Sequence, residues 1–363
     1  MKRIFGLILF LASLLHQAGA QTLSSPKTIY ENIERIAVKK EIVASRNPSA
    51  LVFTESSPSV RQMATEHLNS KETVALMLID KGQIVYEGYA KNTSKVNRFV
   101  SMSMAKSLVA LSVGEALCAK KINSLDDSAE TYAPELKGLA LGKAKIKDIL
   151  KMSSGVKTPP NFHGDPYDKA TDDLLFRKSN MLNIINKHNN NDFAGLFGNT
   201  WSYSNMDTDA LIYVVKGATG MSFGDWFQAT IAEKAALANP SFWGLDTNNV
   251  EIAHSFYFAT MQDWARIALF IRDIQKQPDD SCMKKYVQQA TKFQMPARAP
   301  EFKNYGYQFF VNNNTTLMDD FWMVGYAGQR IGFNLSEDKI ILNFSWIGNP
   351  EKTYALFRQW IKN

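Results

Sequence analysis

The sequence predicts an α+β fold: an antiparallel sheet built from both ends of the chain, flanked by helices, with an all-helical insert. Strand-like apolar runs occur early, at 74–79 and 84–89, and late, at 306–311, 330–335 and 339–346. The long stretch between the two groups carries mainly helical patterns. Strands grouped at the two ends of a chain favour this architecture over one in which strands and helices alternate.

The N-terminus has the organisation of a secretory signal. Lys2 and Arg3 precede an apolar run over 4–15 that is too short to span a membrane, and Ala-Gly-Ala at 18–20 fits a cleavage site. The next residue, Gln21, is not the cysteine that a lipid anchor requires. We therefore expect an exported protein, periplasmic or secreted, without a stable membrane anchor.

Composition and charge exclude some classes of function. The chain has 363 residues, 45% of them hydrophobic, and a net charge of +6, which fits a globular protein with a sizeable core. Its lysines and arginines are scattered and form no basic block interleaved with aromatic residues, so we expect no nucleic-acid partner. The sequence gives no indication of oligomeric state.

The two cysteines, Cys118 and Cys282, leave two alternatives open. Export permits a disulfide, but a single distant pair forms no recognisable framework, and two unpaired thiols fit equally well. The chain contains neither a CxxC nor an HExxH motif. We therefore predict no metal site and no cofactor.

The elements can be assigned in chain order. Helical spacing over 26–46, ended by a turn at 47–48, predicts an N-terminal helix, and the two early strands form a hairpin around a glycine turn at 80–83. Residues 158–199 are polar and proline-rich, and predict a loop bordering a cleft. The remaining predicted helices lie at 145–152, 207–216, 223–237, 261–271 and from Asn349-Pro350 onward.

These assignments divide the chain into four parts, with the active site between the last two. They are a signal peptide (1–20), an N-terminal helix and linker (21–70), an α/β domain (71–117 plus 272–363) and a helical domain (118–271).

The first candidate for catalysis is Ser103-x-x-Lys106. On a helix this spacing places both side chains on one face, one turn apart. A serine hydroxyl is a weak nucleophile until a base takes its proton, and a lysine can be that base where burial lowers its pKa. The apolar run from Leu108 to Leu117 predicts such a buried helix. The alternative is an ordinary helix start with a surface lysine.

The second candidate is Tyr203-Ser204-Asn205. A tyrosine near a lysine ammonium can have a lowered pKa and pass protons, while an asparagine amide can fix the lysine and donate to a substrate carbonyl. The alternative is that Tyr203 packs in the core and Asn205 caps the next helix.

The third candidate is the segment Gly325–Gln329, which enters a predicted strand. Glycines let a substrate approach the backbone, and strand N–H groups can form one arm of an oxyanion hole. A plain glycine turn before a strand is the alternative.

In this order, the three segments resemble the motifs of the β-lactamase-related serine hydrolases, which include class C β-lactamases, DD-peptidases, family VIII esterases and 6-aminohexanoate-oligomer hydrolases. The likeness runs from about Glu72 to the last residue and implies a β-lactamase/transpeptidase-like fold. It implies Ser103 as the acylated nucleophile, Lys106 as base in concert with Tyr203, and Asn205 as the group that orients Lys106 and the substrate. The backbone N–H groups of Ser103 and of Gln329, next to Gly328, would form the oxyanion hole.

The third segment departs from the family pattern. Class C enzymes and peptidases usually have Lys-Thr-Gly where this chain has Tyr326-Ala327-Gly328. The cation that binds the carboxylate of a β-lactam or peptide is thus missing. The nearest cation, Arg330, is expected to face away from Gln329, because neighbouring strand residues alternate. The resemblance therefore favours the esterase and amide-hydrolase branch.

Other candidates are weaker. Gly220–Gly224 matches G-x-S-x-G, but it follows a helical run, which disfavours the nucleophile turn of an α/β-hydrolase. His163, Tyr167 and Asp168 are candidates for the edge of the cleft, with His163 more typical of a loop residue than of a catalyst.

The predicted function is that of an exported serine hydrolase that cleaves a small ester or amide through an acyl-enzyme. One alternative is a β-lactamase or DD-peptidase that acts on cell-wall-type substrates. Another is a non-catalytic ligand-binding protein on the same fold, which the intact Ser103, Lys106 and Tyr203 disfavour. The choice of substrate rests on resemblance, since a fold does not fix a function.

Overall fold

The computed structural model describes residues 33–70, 72–156, 169–189, 198–299, 301–312, 320–346 and 350–362. Its strands are β1 (Lys39–Ile42), β2 (Thr73–Asp80), β3 (Gln83–Tyr89), β4 (Arg98–Val100), β5 (Ser241–Gly244), β6 (Tyr257–Thr260), β7 (Met295–Pro296), β8 (Asn304–Tyr305), β9 (Phe310–Val311), β10 (Asp320–Val324), β11 (Arg330–Asn334) and β12 (Lys339–Ser345). Its α-helices are α1 (Pro58–Leu68), α2 (Ala105–Cys118), α3 (Ala140–Lys143), α4 (Ile146–Leu150), α5 (Lys169–Leu175), α6 (Met181–Asn189), α7 (Asn205–Thr219), α8 (Phe223–Phe227), α9 (Met261–Lys276), α10 (Cys282–Ala290) and α11 (Pro350–Ile361). Within these ranges, no helix has the length and apolar character needed to cross a membrane.

An antiparallel sheet of order β3-β2-β12-β11-β10-β9-β8-β7 forms the centre of the fold. Its first two strands are joined by a tight turn in which Lys81 and Gly82 both have positive φ, as a type I′ hairpin turn requires. β2 then pairs with β12, with Leu76 opposite Asn343. The prediction of an α+β fold with a sheet from both chain ends is therefore confirmed.

Helices cover both faces of this sheet. Along β2, Ala75, Met77 and Ile79 belong to the larger core cluster, to which α2 and α9 contribute. Leu76 and Leu78 belong to a second cluster with α1 and α11. A strand that is buried on both faces has no solvent side for polar residues, which explains its almost continuous apolar sequence.

A second sheet, of order β1-β5-β6-β4, corrects two predictions. Of the helix predicted over 26–46, the described part is helical only at 33–36, and β1 follows. β5 and β6 lie inside the segment 118–271, which was predicted to be all helical, and its boundary at 271 falls within α9. These strands have three or four residues each, so they are fixed by pairing with one another rather than by a local sequence pattern.

Two more predicted elements differ from the structure. The strand predicted at 306–311 is a tight hairpin between β8 and β9, closed by a hydrogen bond from the Gly306 N–H to the Phe309 carbonyl (2.8 Å). The described part of the loop predicted at 158–199 contains α5 and α6. These helices form because their apolar residues pack into the larger core cluster despite a polar local composition.

A disulfide joins Cys118, at the end of α2, to Cys282, at the start of α10. Of the two alternatives that the sequence left open, a disulfide and two unpaired thiols, the structure has the disulfide. The same two helices also meet through the Tyr286 hydroxyl, which donates to the Ala110 carbonyl (2.7 Å). The disulfide therefore fastens the helix that contains Lys106 to a helix 164 positions further along the chain.

The double variant Cys118→Ser/Cys282→Ser is expected to be less stable than the oxidised wild type by roughly 3–5 kcal/mol, because a cross-link over a long loop lowers the entropy of the unfolded chain. Urea unfolding of the oxidised wild type, the reduced wild type and the double variant measures this difference. Equal unfolding midpoints for all three would contradict the expectation.

Candidate active site

Ser103 lies in a single 3₁₀ turn between β4 and α2. The turn is anchored by Ser101, whose Oγ donates to the Ser255 carbonyl (2.6 Å) and accepts from the Tyr257 N–H (3.0 Å). Met102 has a φ of 42°, a left-handed conformation that is uncommon for a residue other than glycine. The backbone thus turns sharply just before Ser103, which lines a cavity.

Lys106 lies in the first turn of α2 and is only 1% exposed. Its Nζ donates to Ser103 Oγ (3.1 Å) and to the His254 carbonyl (3.0 Å). Burial lowers the pKa of Lys106 to about 7, although the Asp209 carboxylate opposes this shift. Near neutral pH a large fraction of Lys106 is therefore the neutral amine, the form that can accept a proton. The alternative of a surface lysine is excluded.

Tyr203 adjoins this pair. Lys106 Nζ lies 5.0 Å from the centroid of its ring, and Tyr203 and Ser103 both line the cavity. The lowered pKa predicted for this tyrosine is wrong: burial raises the pKa above its ordinary value, and the opposing effects of Ser103 and Arg330 are smaller. Tyr203 is thus a neutral hydroxyl near neutral pH, which can relay a proton only by accepting one as it gives up its own.

Asn205 is the first residue of α7, and the cap of that helix is Ser204, which accepts from the Asp207 N–H (3.2 Å). The sequence predicted that Asn205 fixes Lys106. In the structure the carbonyl that accepts from Lys106 is that of His254, and Asn205 Oδ1 is buried without a hydrogen-bond partner among the described residues. Asn205 is therefore close to the site but does not anchor its lysine.

The loop between β10 and β11 corrects the predicted oxyanion donor. The Gln329 N–H is directed to the Tyr326 carbonyl (3.4 Å), and its side chain is buried and donates to the Ser345 carbonyl. Neither Gly328 nor Gln329 is among the residues that line the cavity, whereas Gly325 and Tyr326 are. The prediction failed because this loop makes a 3₁₀ turn before the strand begins.

Gly325 packs directly against the turn that contains Ser103. A Cβ at this position would lie 2.4 Å from the Ser101 carbonyl oxygen and 3.1 Å from Met102 Cβ. Its φ of −124° suits any residue, so the close approach alone requires glycine. The absence of a side chain at Gly325 thus lets the loop reach the serine turn.

A cavity of about 590 Å³ opens beside Ser103. One part of its lining is aromatic, and the rings of Tyr203 and Phe310 stack with centroids 6.3 Å apart. Another part is charged. The aromatic and charged lining residues are Trp201, Tyr203, Phe302, Phe310, Tyr326, Arg298, Glu301 and Arg330. The cavity can therefore hold an apolar group against aromatic surface close to the serine.

The expectation that Arg330 points away from the site is wrong: Arg330 lines this cavity, and it is Gln329 that does not. Arg330 is buried, forms an ion pair with Glu301 (3.3 Å) and donates to the Tyr354 hydroxyl (2.9 Å). It also donates to the Gly325 carbonyl. The guanidinium thus holds the loop in place and is already committed to partners within the protein.

Sequence reasoning missed two buried residues next to Lys106. His254 Nδ1 lies 2.8 Å from Asp209 Oδ1, and the His254 carbonyl is the acceptor for Lys106 already described. Asp209 follows Asn205 by four residues and so lies on the same face of α7, a signal that could have identified it. His254 lies in a turn before β6 and outside any motif, so no sequence signal pointed to it.

The G-x-S-x-G sequence does not form a nucleophile turn. Ser222 of the G-x-S-x-G sequence caps α8 by accepting from the Asp225 N–H (3.2 Å), and it lies between two helices rather than after a strand. His163, Tyr167 and Asp168 lie outside the described residues.

The sheet covered by helices on both faces, together with the group formed by Ser103, Lys106 and Tyr203, defines a protein of the β-lactamase/transpeptidase-like class. The family model described as Beta-lactamase matches residues 60–352. The chain therefore belongs to the Beta-lactamase family of serine hydrolases, as the sequence resemblance predicted.

Solved structures with this fold carry diverse names. A candidate 6-aminohexanoate-dimer hydrolase from Bacillus anthracis has a TM-score of 0.78 at 18% identity, over 92% of this chain and 93% of that one. EstCE1, a hydrolase with promiscuous acyltransferase activity, has a TM-score of 0.67 at 12% identity, over 84% and 97%. The D-alanine carboxypeptidase AmpC from Burkholderia cenocepacia has a TM-score of 0.62 at 13% identity, over 85% and 100%. At these identities the similarity shows the fold alone.

Labelling of Ser103 by a fluorophosphonate is expected to accelerate with pH through about 7 and then to level off, because only the neutral Lys106 can act as base. Labelling rates between pH 5 and 9, followed by intact-mass analysis, measure this profile. Lys106→Arg stays charged throughout and is expected to react about 10²–10⁴-fold more slowly. A flat profile, or wild-type labelling of the arginine variant, would contradict this role.

Proposed function

We propose that this protein is an exported serine hydrolase that cleaves a small ester or amide through an acyl-enzyme on Ser103. The proposal depends on one observation: Lys106 Nζ lies 3.1 Å from Ser103 Oγ, and burial lowers the pKa of that lysine to about 7. A solvated lysine would be protonated and unable to activate a serine. The Cys118–Cys282 disulfide supports an oxidising compartment, and therefore export.

In the proposed acylation step, the neutral amine of Lys106 takes the hydroxyl proton of Ser103 while Oγ attacks the substrate carbonyl carbon. The backbone N–H of Ser103 stabilises the tetrahedral oxyanion, with the backbone N–H of Tyr326, which lines the cavity, as the second donor. The Gly325 N–H is directed to the Gln329 carbonyl (2.8 Å) instead. The proton then passes through the Tyr203 hydroxyl to the leaving alcohol or amine. Water then attacks the acyl carbon and gives a proton to Lys106, directly or through the Tyr203 hydroxyl. The bond between the acyl carbon and Ser103 Oγ breaks, Oγ takes that proton back, and the acid is released.

Esters and uncharged amides suit this cavity better than substrates that carry a carboxylate. A carboxylate needs an available cation, and Arg330, the buried cation of this lining, already directs its donors to Glu301, the Gly325 carbonyl and the Tyr354 hydroxyl. The aromatic lining instead offers apolar surface to an acyl or leaving group.

One observation favours the alternative of a β-lactamase or DD-peptidase. Arg298 is an exposed cation in the lining of the same cavity, where it would meet a substrate carboxylate. A non-catalytic ligand-binding protein is less consistent with the site, because keeping an uncharged lysine beside a serine costs stability and is of no use to binding alone.

The proposal is tested with wild type, Ser103→Ala and Ser222→Ala, each mixed with p-nitrophenyl butyrate and, separately, with a chromogenic cephalosporin. We expect ester turnover and a transient mass increase of one butyryl group in wild type and Ser222→Ala, and neither in Ser103→Ala. Ser222 is the matched control, since it is the serine of the competing nucleophile motif. Absorbance and intact mass report turnover and adduct.

Other outcomes separate the remaining hypotheses. Rapid cephalosporin turnover, lowered about tenfold or more in Arg298→Gln by loss of a charge-assisted contact, would support the alternative substrate class. The absence of an adduct with either substrate and with a fluorophosphonate would contradict serine chemistry and favour a binding protein.

A further inference from the structure

Asp209 and His254 form a buried pair next to Lys106. Asp209 is 2% exposed, and His254 is fully buried. His254 Nδ1 lies 2.8 Å from Asp209 Oδ1 and 3.0 Å from Oδ2, and its backbone carbonyl accepts from Lys106 Nζ. Neither residue is among those that line the cavity. The pair therefore touches the base of the proposed reaction without touching the substrate.

The electrostatics of this pair bear on the lysine. A carboxylate in the core is costly unless hydrogen bonds and an opposite charge compensate it. The Nδ1–H of His254 donates to the Asp209 carboxylate, and the ammonium form of Lys106 is the opposite charge that Asp209 favours. Tyr213, one turn further along α7, also experiences the Asp209 charge. Asp209 thus counteracts the burial that would otherwise lower the basicity of Lys106 further.

We infer that Asp209, held by His254, is a positioning residue that keeps Lys106 aimed at Ser103 and supplies the negative charge beside its amine. The inference rests on the proposed role of Lys106 as the base. His254 couples the two groups, because its ring binds Asp209 while its carbonyl binds Lys106. The three residues come from α2, α7 and the turn before β6, so their meeting is a product of the tertiary fold.

The pH dependence must be separated from that of neighbouring groups. Lys106 is faced by Ser103, Tyr203, Asp209 and the His254 carbonyl. A further carboxyl titrates in the same range: burial raises the pKa of Asp207 to about 7, against its hydrogen bonds with Ser154 and Ser204. Asp207 lies on the same helix as Asp209 and is equally buried, so its amide variant is a matched control.

The test measures fluorophosphonate labelling of Ser103 from pH 5 to 9 in four proteins. In Asp209→Asn the amide can still accept from His254, but the charge is lost. The acidic limb of the profile, where the labelling rate rises with pH, is therefore expected to move about one unit to lower pH. Its plateau is expected to fall, because a less basic amine is a weaker general base. Asp209→Glu, which keeps the charge, and Asp207→Asn are expected to keep the limb of the wild type.

The proposal is overturned if the limb stays in place in folded Asp209→Asn, or if it moves equally in Asp209→Glu or Asp207→Asn. Circular dichroism checks that each variant is folded. If Asp209→Asn does not fold, the pH profile of labelling is measured instead in Asp209→Ser, which is also uncharged. Failure of the wild type to label at Ser103 would instead count against the proposed function, since the inference concerns only how the lysine is tuned.

Discussion

The property on which this site depends is the exclusion of water from the amine of Lys106, because a solvated lysine would be protonated near neutral pH. Placing the first turn of α2 in the core lowers the pKa of that amine from 10.5 to about 7. This corresponds to on the order of 5 kcal/mol against the charged form relative to water. The core that desolvates Lys106 is formed by helices on one face of the large sheet and by the small sheet, of which β4 is an edge strand. The fold therefore supplies the uncharged form of the lysine as well as the geometry of the site.

Two unusual backbone features bring the rest of the site to that amine. Met102 adopts a left-handed conformation before the serine, and Ser101 holds it there through bonds to the chain around β6. On the opposite side, Gly325 lies so close to this turn that no side chain fits, and Arg330 fastens the loop through the Gly325 carbonyl. Both features depend on contacts between distant parts of the chain, so neither turn would keep its conformation alone.

The sequence was sufficient where the signal is local, and insufficient where burial or direction depends on the whole fold. The proximity of Ser103 and Lys106 and the long apolar strands β2 and β12 were predicted correctly, because short-range spacing and continuous apolar runs indicate them. The short strands β1, β5 and β6 were missed, since pairing rather than pattern forms them. The pKa of Tyr203 was predicted in the wrong direction because desolvation outweighs its neighbours. Gln329 was misassigned because one 3₁₀ turn redirects its N–H.

The pairing of Leu76 with Asn343 has a consequence for the order of events during folding. Contacts between such distant residues form late, since a long loop must close before they become favourable. Until then β2 is an apolar strand with an unpaired edge, a form prone to aggregation in a partly synthesised chain. The core cluster that includes α2 also includes Phe344 of β12. Lys106 is therefore expected to stay hydrated and protonated until the C-terminal strands have joined the sheet and completed the core.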